Sequence, residues 1–372
     1  MNGGLAGGSR VRVCVLGLGQ VGLPTFQAMR RFHPETSGVD TNRRLVRKLA
    51  GAGWPVAVRA ERPEAVEAWV LAVPMGPGLS ALWQALSSIA PRRGALIAIE
   101  STIPPGTMEQ VRQRFARRGL AAGRDVFLVH CPHRVPPDRE ADVLETPRVI
   151  GGVTPACLER GLELYAPFAG FLTAFADVRV VELATVVENS LRYLELAFAE
   201  DLKLYCDRVG VDFDDLRQAI NAKGDGKVMG VDYGIDGEYL PKNVGFLAEA
   251  TRSPLLKAAV TADEAYRESL YRRLAGFEAV LIRGPSGRPG SLATGHSRAV
   301  ELARRLAAAG VMVGLDAPSL RPQDVRRLGL FGPDGWEYEA VVERGRVTVN
   351  GPSGADAKPG RPRAESAGKS TD

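Results

Sequence analysis

The sequence predicts an α/β fold in which a doubly wound parallel sheet leads into a long central helix and then a second, smaller α/β unit. Three observations predict it. Short apolar runs recur at Val11–Leu16, Trp69–Val73, Ala95–Ile99 and Val126–Val129, separated by helix-like segments at Pro24–Phe32, Leu79–Ile89 and Thr107–Arg118. Alternation of this kind builds a parallel sheet covered by helices on both faces. Next, Glu182–Val209 keeps apolar residues at helical spacing without a Gly or Pro. That stretch is too long for a crossover helix and too polar to span a membrane, so it reads as a domain-linking helix. Helical patterns follow at Phe213–Ala222 and Ser253–Leu274. Finally, strand-like Ala279–Ile282, a helix from Ser297 to Ala309 and strand-like Val311–Leu315 predict the second α/β unit.

A chain of 372 residues is long enough for two or three domains. With 45% hydrophobic and 24% charged residues, disorder, collagen-like repeats and a disulfide scaffold are all set aside. The formal charge of +5 is spread along the chain and carried mostly by Arg, which fits an anionic small ligand and gives no reason to expect nucleic acid or a membrane as partner. Cys14, Cys131, Cys157 and Cys206 form no CxxC pair and have no His at zinc spacing, so no metal site is expected and the compartment is read as reducing. The start MNGGLAGGSR lacks a charged and apolar leader, and no apolar run approaches a membrane span. A soluble cytoplasmic protein is expected.

Gly17, Gly19 and Gly22 form GxGxxG, with Gln20 and Val21 inside it, directly after a strand and before a helix. That context gives the pattern its meaning. The first Gly permits a tight turn, the second lets the backbone approach a pyrophosphate, and the third allows close helix–strand packing. Asp40, where the second strand should end, is placed to accept hydrogen bonds from a ribose 2′-hydroxyl and to repel a 2′-phosphate. NAD is therefore expected over NADP, a preference that nearby Arg43 and Arg44 weaken. A Gly-rich turn without a ligand is the competing reading.

GLGQVGLP (Gly17–Pro24), GVD (Gly38–Asp40), AVP (Ala72–Pro74), ESTIPPGT (Glu100–Thr107), HCPHR (His130–Arg134) and PRVIGG (Pro147–Gly152) together resemble the UDP-glucose/GDP-mannose dehydrogenase family, nearest its UDP-N-acetylmannosamine dehydrogenase branch. The resemblance continues through ELATVVEN (Glu182–Asn189), AFAE (Ala197–Glu200), GEYLPKNVGFL (Gly237–Leu247) and GLDAP (Gly314–Pro318). It implies an N-terminal Rossmann domain that binds NAD, a long central helix on which a homodimer is built, and a C-terminal Rossmann-like domain for a nucleotide sugar. The corresponding ranges are a flexible 1–10, an NAD-binding 11–178, a helical 179–274, a nucleotide-sugar domain 275–350 and a disordered tail 351–372. The resemblance also places Val73, Pro74, Ser101 and Thr102 beside the cofactor, and Gly234, Gly237 and Lys242 beside the substrate.

Family members oxidise a sugar alcohol to a carboxylate in two hydride transfers, through a thioester on a Cys of a GGxCxPxD motif. Here that motif aligns on Asp236–Asn243, which puts Tyr239 at the nucleophile and Asn243 at the acid. A phenol is a poor acyl carrier in a thioester mechanism, though it can donate or shuttle a proton. Thr185 stands at the family's oxyanion-stabilising Lys and His133 at the Glu of its CPER-type motif, while Asn189, Ser101, Thr102 and the PPGT turn are retained. The family's Arg of an Arg-x-Ser-Pro element aligns on Gly295, with Arg298 as a substitute one turn on. Cys131 is the nearest remaining thiol, with a small buried hydrophobe as its competing reading.

The first expectation is therefore a redirected oxidoreductase that makes one reversible hydride transfer on a nucleotide sugar. His133, titrating near neutrality, or Tyr239 would take the hydroxyl proton, and Asn189 and Thr102 would orient the oxygen. A surface His133, a packing Tyr239 and a backbone-bonding Asn189 are the competing readings. The second expectation is a non-catalytic NAD- or nucleotide-sugar-binding homologue or partner subunit. A third is an ordinary uronate-forming enzyme with atypical residues. For dimerisation the long helix offers the stripe Leu183, Val186, Val187, Leu191, Leu194 and Phe198, with intramolecular packing as the alternative.

Overall fold

The computed structural model describes residues 11–75, 78–133, 146–167, 169–224, 227–237, 239–284, 297–317, 322–333 and 337–350. The expected flexible N-terminus at 1–10 and tail at 351–372 lie outside them, as do Arg134, Gly295 and Pro318. The chain divides into two compact units, Met1–Glu188 and Asn189–Asp372.

The first unit runs β1 (Val13–Leu16), α1 (Gly22–Phe32), β2 (Ser37–Val39), α2 (Arg43–Gly51), β3 (Val56–Ala57), β4 (Ala68–Leu71), α3 (Ser80–Ser88), β5 (Ala95–Ile99), α4 (Thr107–Ala116), β6 (Val126–His130), β7 (Arg148–Gly152), α5 (Pro155–Tyr165) and β8 (Leu172–Phe175). The strands form one sheet in the order β3-β2-β1-β4-β5-β6-β7-β8. β1 is paired in parallel with both β2 and β4, so the strand order reverses at β1, where open α/β sheets bind ligands beyond the strands' carboxyl ends. β1, β4 and β5 are buried along their whole length, as strands covered on both faces must be. Their Val, Ile and Leu side chains pack with Trp69, Phe26 and Phe115 into the core. β7 departs from the parallel expectation: it runs antiparallel to β6, pairing His130 with Gly151. Helix starts follow local chemistry. The Asn42 side chain accepts from the Arg44 and Leu45 backbone N–H groups to cap α2, and Thr154 with Pro155 starts α5.

The linking helix α6 spans Val178–Val209, four residues earlier than predicted. At about 1.5 Å per residue it is about 48 Å long. Its residues through Glu188 belong to the first unit and the rest to the second. The second unit continues with α7 (Phe213–Asn221), α8 (Tyr239–Thr251), α9 (Pro254–Leu274), β9 (Ala279–Arg283), α10 (Arg298–Ala308), β10 (Met312–Asp316), α11 (Pro322–Arg327), β11 (Ala340–Glu343) and β12 (Arg346–Val349). β9 pairs in parallel with β10 and β11, and β11 and β12 make an antiparallel hairpin. Asp212, Ser253 and Ser297 cap α7, α9 and α10.

Candidate active site

The glycine turn lies between β1 and α1, and each glycine meets a different surrounding. Gly17 holds φ at 87°, and a Cβ there would sit 2.5 Å from the Ala72 carbonyl oxygen. A Cβ on Gly22 would fall 1.8 Å from the Gly17 oxygen, so no larger residue fits. Gly19 meets nothing within 4 Å among the described residues. The backbone is thus packed on both sides of the turn and open at its centre, the arrangement a pyrophosphate needs. Helix α1 starts without a side-chain cap and without an acid in its first turn, leaving its positive end uncompensated. Gln20 is exposed and Val21 half-buried beside the open position. Asp40 is half-buried, its Oδ2 accepting from Leu18 N–H at 2.7 Å and its Oδ1 from Asn42 N–H at 2.7 Å. Each carboxylate oxygen keeps a further lone pair for a ribose hydroxyl. This donor and acceptor set fits a dinucleotide, with NAD preferred while Arg43 and Arg44 remain exposed on α2.

At the carboxyl ends of β5 and β6, polar groups missed by the sequence reading form a buried network. Glu100 Oε1 accepts from Arg148 Nη1 at 3.1 Å and from the Tyr165 hydroxyl at 2.9 Å, while Oε2 accepts from Thr25 Oγ1 at 2.7 Å. Neither side chain of the Arg148–Glu100 pair is more than 1% exposed. Burial works against the Glu100 charge, but Arg148 outweighs it and holds the carboxyl below its usual range. Breaking such a pair by removing one partner costs about 3–5 kcal/mol. The signal was available: an Arg opening the apolar run RVIGG and a Glu directly after ALIAI are charges that need partners.

His133 joins this network. Its backbone N–H donates to the Glu100 carbonyl at 3.1 Å, and Arg148 Nη2 lies 3.3 Å from its Nδ1. Burial pushes its pKa down to about 4; the Glu100 carboxylate pulls the other way, more strongly than the Arg148 charge pushes down, but burial outweighs it. The expectation of a histidine titrating near neutrality is therefore corrected, because desolvation of the ring outweighs the attraction of the Glu100 carboxylate for an imidazolium. Cys131 is completely buried and its thiol is pushed up to about 12, first by that burial. It packs as a small hydrophobe and is no replacement nucleophile.

The retained turn around Pro104–Thr107 is pinned by Glu182 of α6, whose carboxylate accepts from the backbone N–H groups of Gly106 at 3.1 Å and Met108 at 2.7 Å. Ser101 and Thr102 are buried. The Ser101 hydroxyl donates to the Val73 carbonyl at 2.7 Å, tying the end of β5 to the segment after β4, where Val73 is half-buried and Pro74 exposed. Thr185 is buried with its hydroxyl unpartnered, and Asn189 is half-buried.

In the second unit, Tyr239 opens α8, half-buried, and the Lys242 ammonium lies over its ring, 5.0 Å from the centroid. Asn243 is completely buried, and neither atom of its amide has a partner. Residues 239, 242 and 243 share one face of the helix by their spacing. Gly234 is buried with φ at 125°, and Gly237 is exposed with φ at 94°. Arg298 is already engaged: its Nε donates to the Ile235 carbonyl at 3.2 Å and its Nη1 to Glu301 at 2.6 Å. Nearby, Asp263 accepts from Tyr193, Arg267 and the Ile235 N–H, and beside it Glu200 is buried with Oε2 unpartnered. Burial first, then Asp263, raise the Glu200 carboxyl to about 9.

Residues 60–169 match the NAD binding domain of the UDP-glucose/GDP-mannose dehydrogenase family and residues 179–265 match its central domain, together just over half of the chain. The glycine turn precedes the first matched range. Among curated proteins, the NDP-N-acetyl-D-galactosaminuronic acid dehydrogenase of Ralstonia nicotianae is 30% identical over 274 residues, covering 64% of this chain and 64% of that protein. The UDP-N-acetyl-D-mannosamine dehydrogenase of Escherichia coli K12 is 30% identical over 243 residues, covering 56% and 58%. The chain thus matches under two thirds of the length of these relatives. In fold it resembles a UDP-D-ManNAc dehydrogenase from Pyrococcus horikoshii, with a TM-score of 0.74 at 24% identity over 84% of each chain. On the two adjoining matches, the chain belongs to the UDP-glucose/GDP-mannose dehydrogenase family, close to its UDP-N-acetylmannosamine dehydrogenase branch.

Proposed function

We propose that this protein is an NAD-dependent oxidoreductase that carries out one reversible hydride transfer at a CH–OH group of a nucleotide sugar, stopping at a ketone or aldehyde. The observation that carries the reading is that a chain with an open glycine cradle carries a tyrosine at the position that, by the resemblance, holds the family's acyl-carrying thiol. The backbone of Gly17–Gly22 would hold the pyrophosphate, Asp40 the ribose, and Val73, Pro74, Ser101 and Thr102 the remainder. NAD, when bound, supplies the hydride acceptor. The hydroxyl proton would leave to Tyr239, which opens α8 with the Lys242 ammonium over its ring. On the family resemblance, Thr102 and Asn189 would orient the oxygen, and Gly234, Gly237, Lys242 and Arg298 would meet the sugar nucleotide.

A second oxidation to the acid lacks its chemistry. With no thiol at position 239 there is no thioester, Thr185 brings no charge to an oxyanion, and the Asn243 amide is no base. The test is to screen nucleotide sugars with NAD, counting NADH per sugar and weighing the product. One NADH and a product two mass units lighter are expected. Two NADH and a product fourteen units heavier would restore uronate formation and sink the single-step reading. A second reading, a non-catalytic binding homologue or partner subunit, draws on the buried, unpartnered Thr185 hydroxyl and Asn243 amide. It predicts NAD binding without turnover.

We further infer a cytoplasmic homodimer built on α6. Val180, Leu183, Val187, Leu191, Phe198, Tyr205 and Val209 are exposed at helical spacing along it, whereas Val186 of the predicted stripe is buried and Leu194 half-buried. An apolar stripe of that length favours a covering partner. Light scattering should give twice the chain mass, and Leu191→Asp should return the monomer. No described helix is long and apolar enough to cross a membrane.

A further inference from the structure

The contact between Arg148 and His133 fixes which ring nitrogen of the histidine carries the proton. A guanidinium has five N–H donors and no acceptor, so Arg148 Nη2 at 3.3 Å requires Nδ1 to accept. The single proton of a neutral imidazole then resides on Nε2. Nε2 has no partner among the described residues and is not among the buried, unsatisfied atoms. Of the other groups packed here only Glu100 favours a charged ring, and burial outweighs it. Glu100 is already satisfied by Arg148, Tyr165 and Thr25. Cys131 is a buried thiol, and His130 is itself held neutral, its Nδ1 bonded to the Ile99 carbonyl at 2.8 Å. Protonating His133 would sever the Arg148 bond and set two cations side by side. His133 also stands just beyond β6, at the sheet edge where the glycine turn and Thr102 stand.

We propose that Arg148 is a positioning residue that locks His133 as the Nε2–H tautomer, so that His133 serves as a neutral hydrogen-bond donor to the oxygen of the reacting C–O group and not as its base. The proposal rests on the hydride-transfer reading for its substrate and on Arg148 alone for its tautomer. A donor here reverses the polarity of the carboxylate that the resemblance places at this position. It binds the oxygen in both the alcohol and the carbonyl, and most strongly while negative charge grows on it. A neutral donor also avoids carrying a second cation into a network that already contains Arg148.

The chain has only four histidines, which makes the tautomer directly readable. Long-range proton–nitrogen NMR spectra of the histidine-labelled full chain, with His133 assigned by its loss in His133→Gln, should show an Nε2–H tautomer that stays neutral from pH 8 down to about 5. An Nδ1–H tautomer, or an imidazolium already at pH 6, would overturn the proposal. Arg148→Met alone strands Glu100, so the paired variant Glu100→Gln with Arg148→Met is the control: His133 should stay neutral through burial but no longer be held as the Nε2–H tautomer alone, showing Nδ1–H as well. An unchanged His133 in that variant would remove Arg148 from its role. In turnover, His133→Ala should lose about 100-fold in kcat, and His133→Gln, which keeps an N–H, should recover at least tenfold of it. Equal loss in both variants would overturn the donor role. A wild-type chain with the Nε2–H tautomer that turns over no nucleotide sugar would refute the hydride-transfer reading while leaving the tautomer assignment standing.

Discussion

The carboxylate of Asp40 accepts a hydrogen bond of 2.7 Å from the backbone N–H of Leu18, the residue between the first two glycines of the cofactor turn. One side chain thereby shapes the loop and, on the proposed reading, presents charge to the ribose. Its removal should act on both. Asp40→Asn is expected to weaken NAD binding by about 10- to 100-fold, since a hydrogen bond to a charged group contributes about 1.5–3 kcal/mol. It should weaken NADP less, because the repulsion of a 2′-phosphate goes with the charge. Calorimetric titration with both cofactors reads the ratio, and an unchanged NAD to NADP preference would exclude Asp40 as the discriminating residue.

Two glycines of the same turn should separate folding from binding. Gly22→Ala drives a methyl to within 1.8 Å of the Gly17 oxygen, so this variant should lose several degrees in Tm or fail to fold. Gly19→Ala meets nothing within 4 Å among the described residues and has no left-handed backbone to strain it. It should keep the wild-type Tm and lose at least about tenfold in NAD affinity, because the added methyl fills space the pyrophosphate needs. Full NAD affinity in Gly19→Ala would place the cofactor elsewhere.

Tyr239 and Lys242 make a pair whose roles differ in sign. Tyr239→Phe removes the proposed proton acceptor and should lower kcat by about 100-fold or more while leaving NAD affinity intact. Lys242→Met removes the cation over the ring and should move the alkaline-activating limb of the kcat profile to higher pH. A profile unmoved by Lys242→Met would assign the lysine to substrate binding alone, where KM and not the limb should change.

These sites were not equally legible in the sequence. The cofactor turn was, because backbone positions that exclude a side chain can be filled only by glycine and stand close together in the chain. The Glu100–Arg148–His133 network was not, since its members are up to 48 residues apart and meet only through the pairing of β5, β6 and β7. Periodicity gives no strand direction, so antiparallel β7 could not be foreseen. Helix α8 was hidden by Pro241 and Gly245, two helix breakers by composition. Pro241 sits in the first turn, where its missing N–H costs no hydrogen bond. The early start of α6 follows from Val178–Val181, a stretch with no helix breaker that continues the helical run of Glu182–Val209 toward the N-terminus.

The buried carboxyl of Glu200 should leave a mark on stability. Its folded pKa, raised to about 9 by burial and Asp263, lies far above the range of an unfolded glutamate, about 4.3. Between those values the folded chain binds a proton that the unfolded chain has released, so stability from this group is present in full at low pH and falls as pH rises toward 9. Glu200→Gln keeps the shape and removes the titration. Below pH 4 the variant should be no more stable than the wild type, and at pH 8.5 it should be more stable by at least about 1 kcal/mol, which is roughly 2–4 °C in Tm for domains of this size. Thermal melts of both proteins across this range test it. A Gln variant that melts at or below the wild-type temperature at pH 8.5 would mean that Glu200 is ionised in the folded protein and that Arg267 or Arg298, the cations nearest in charge, stabilise it.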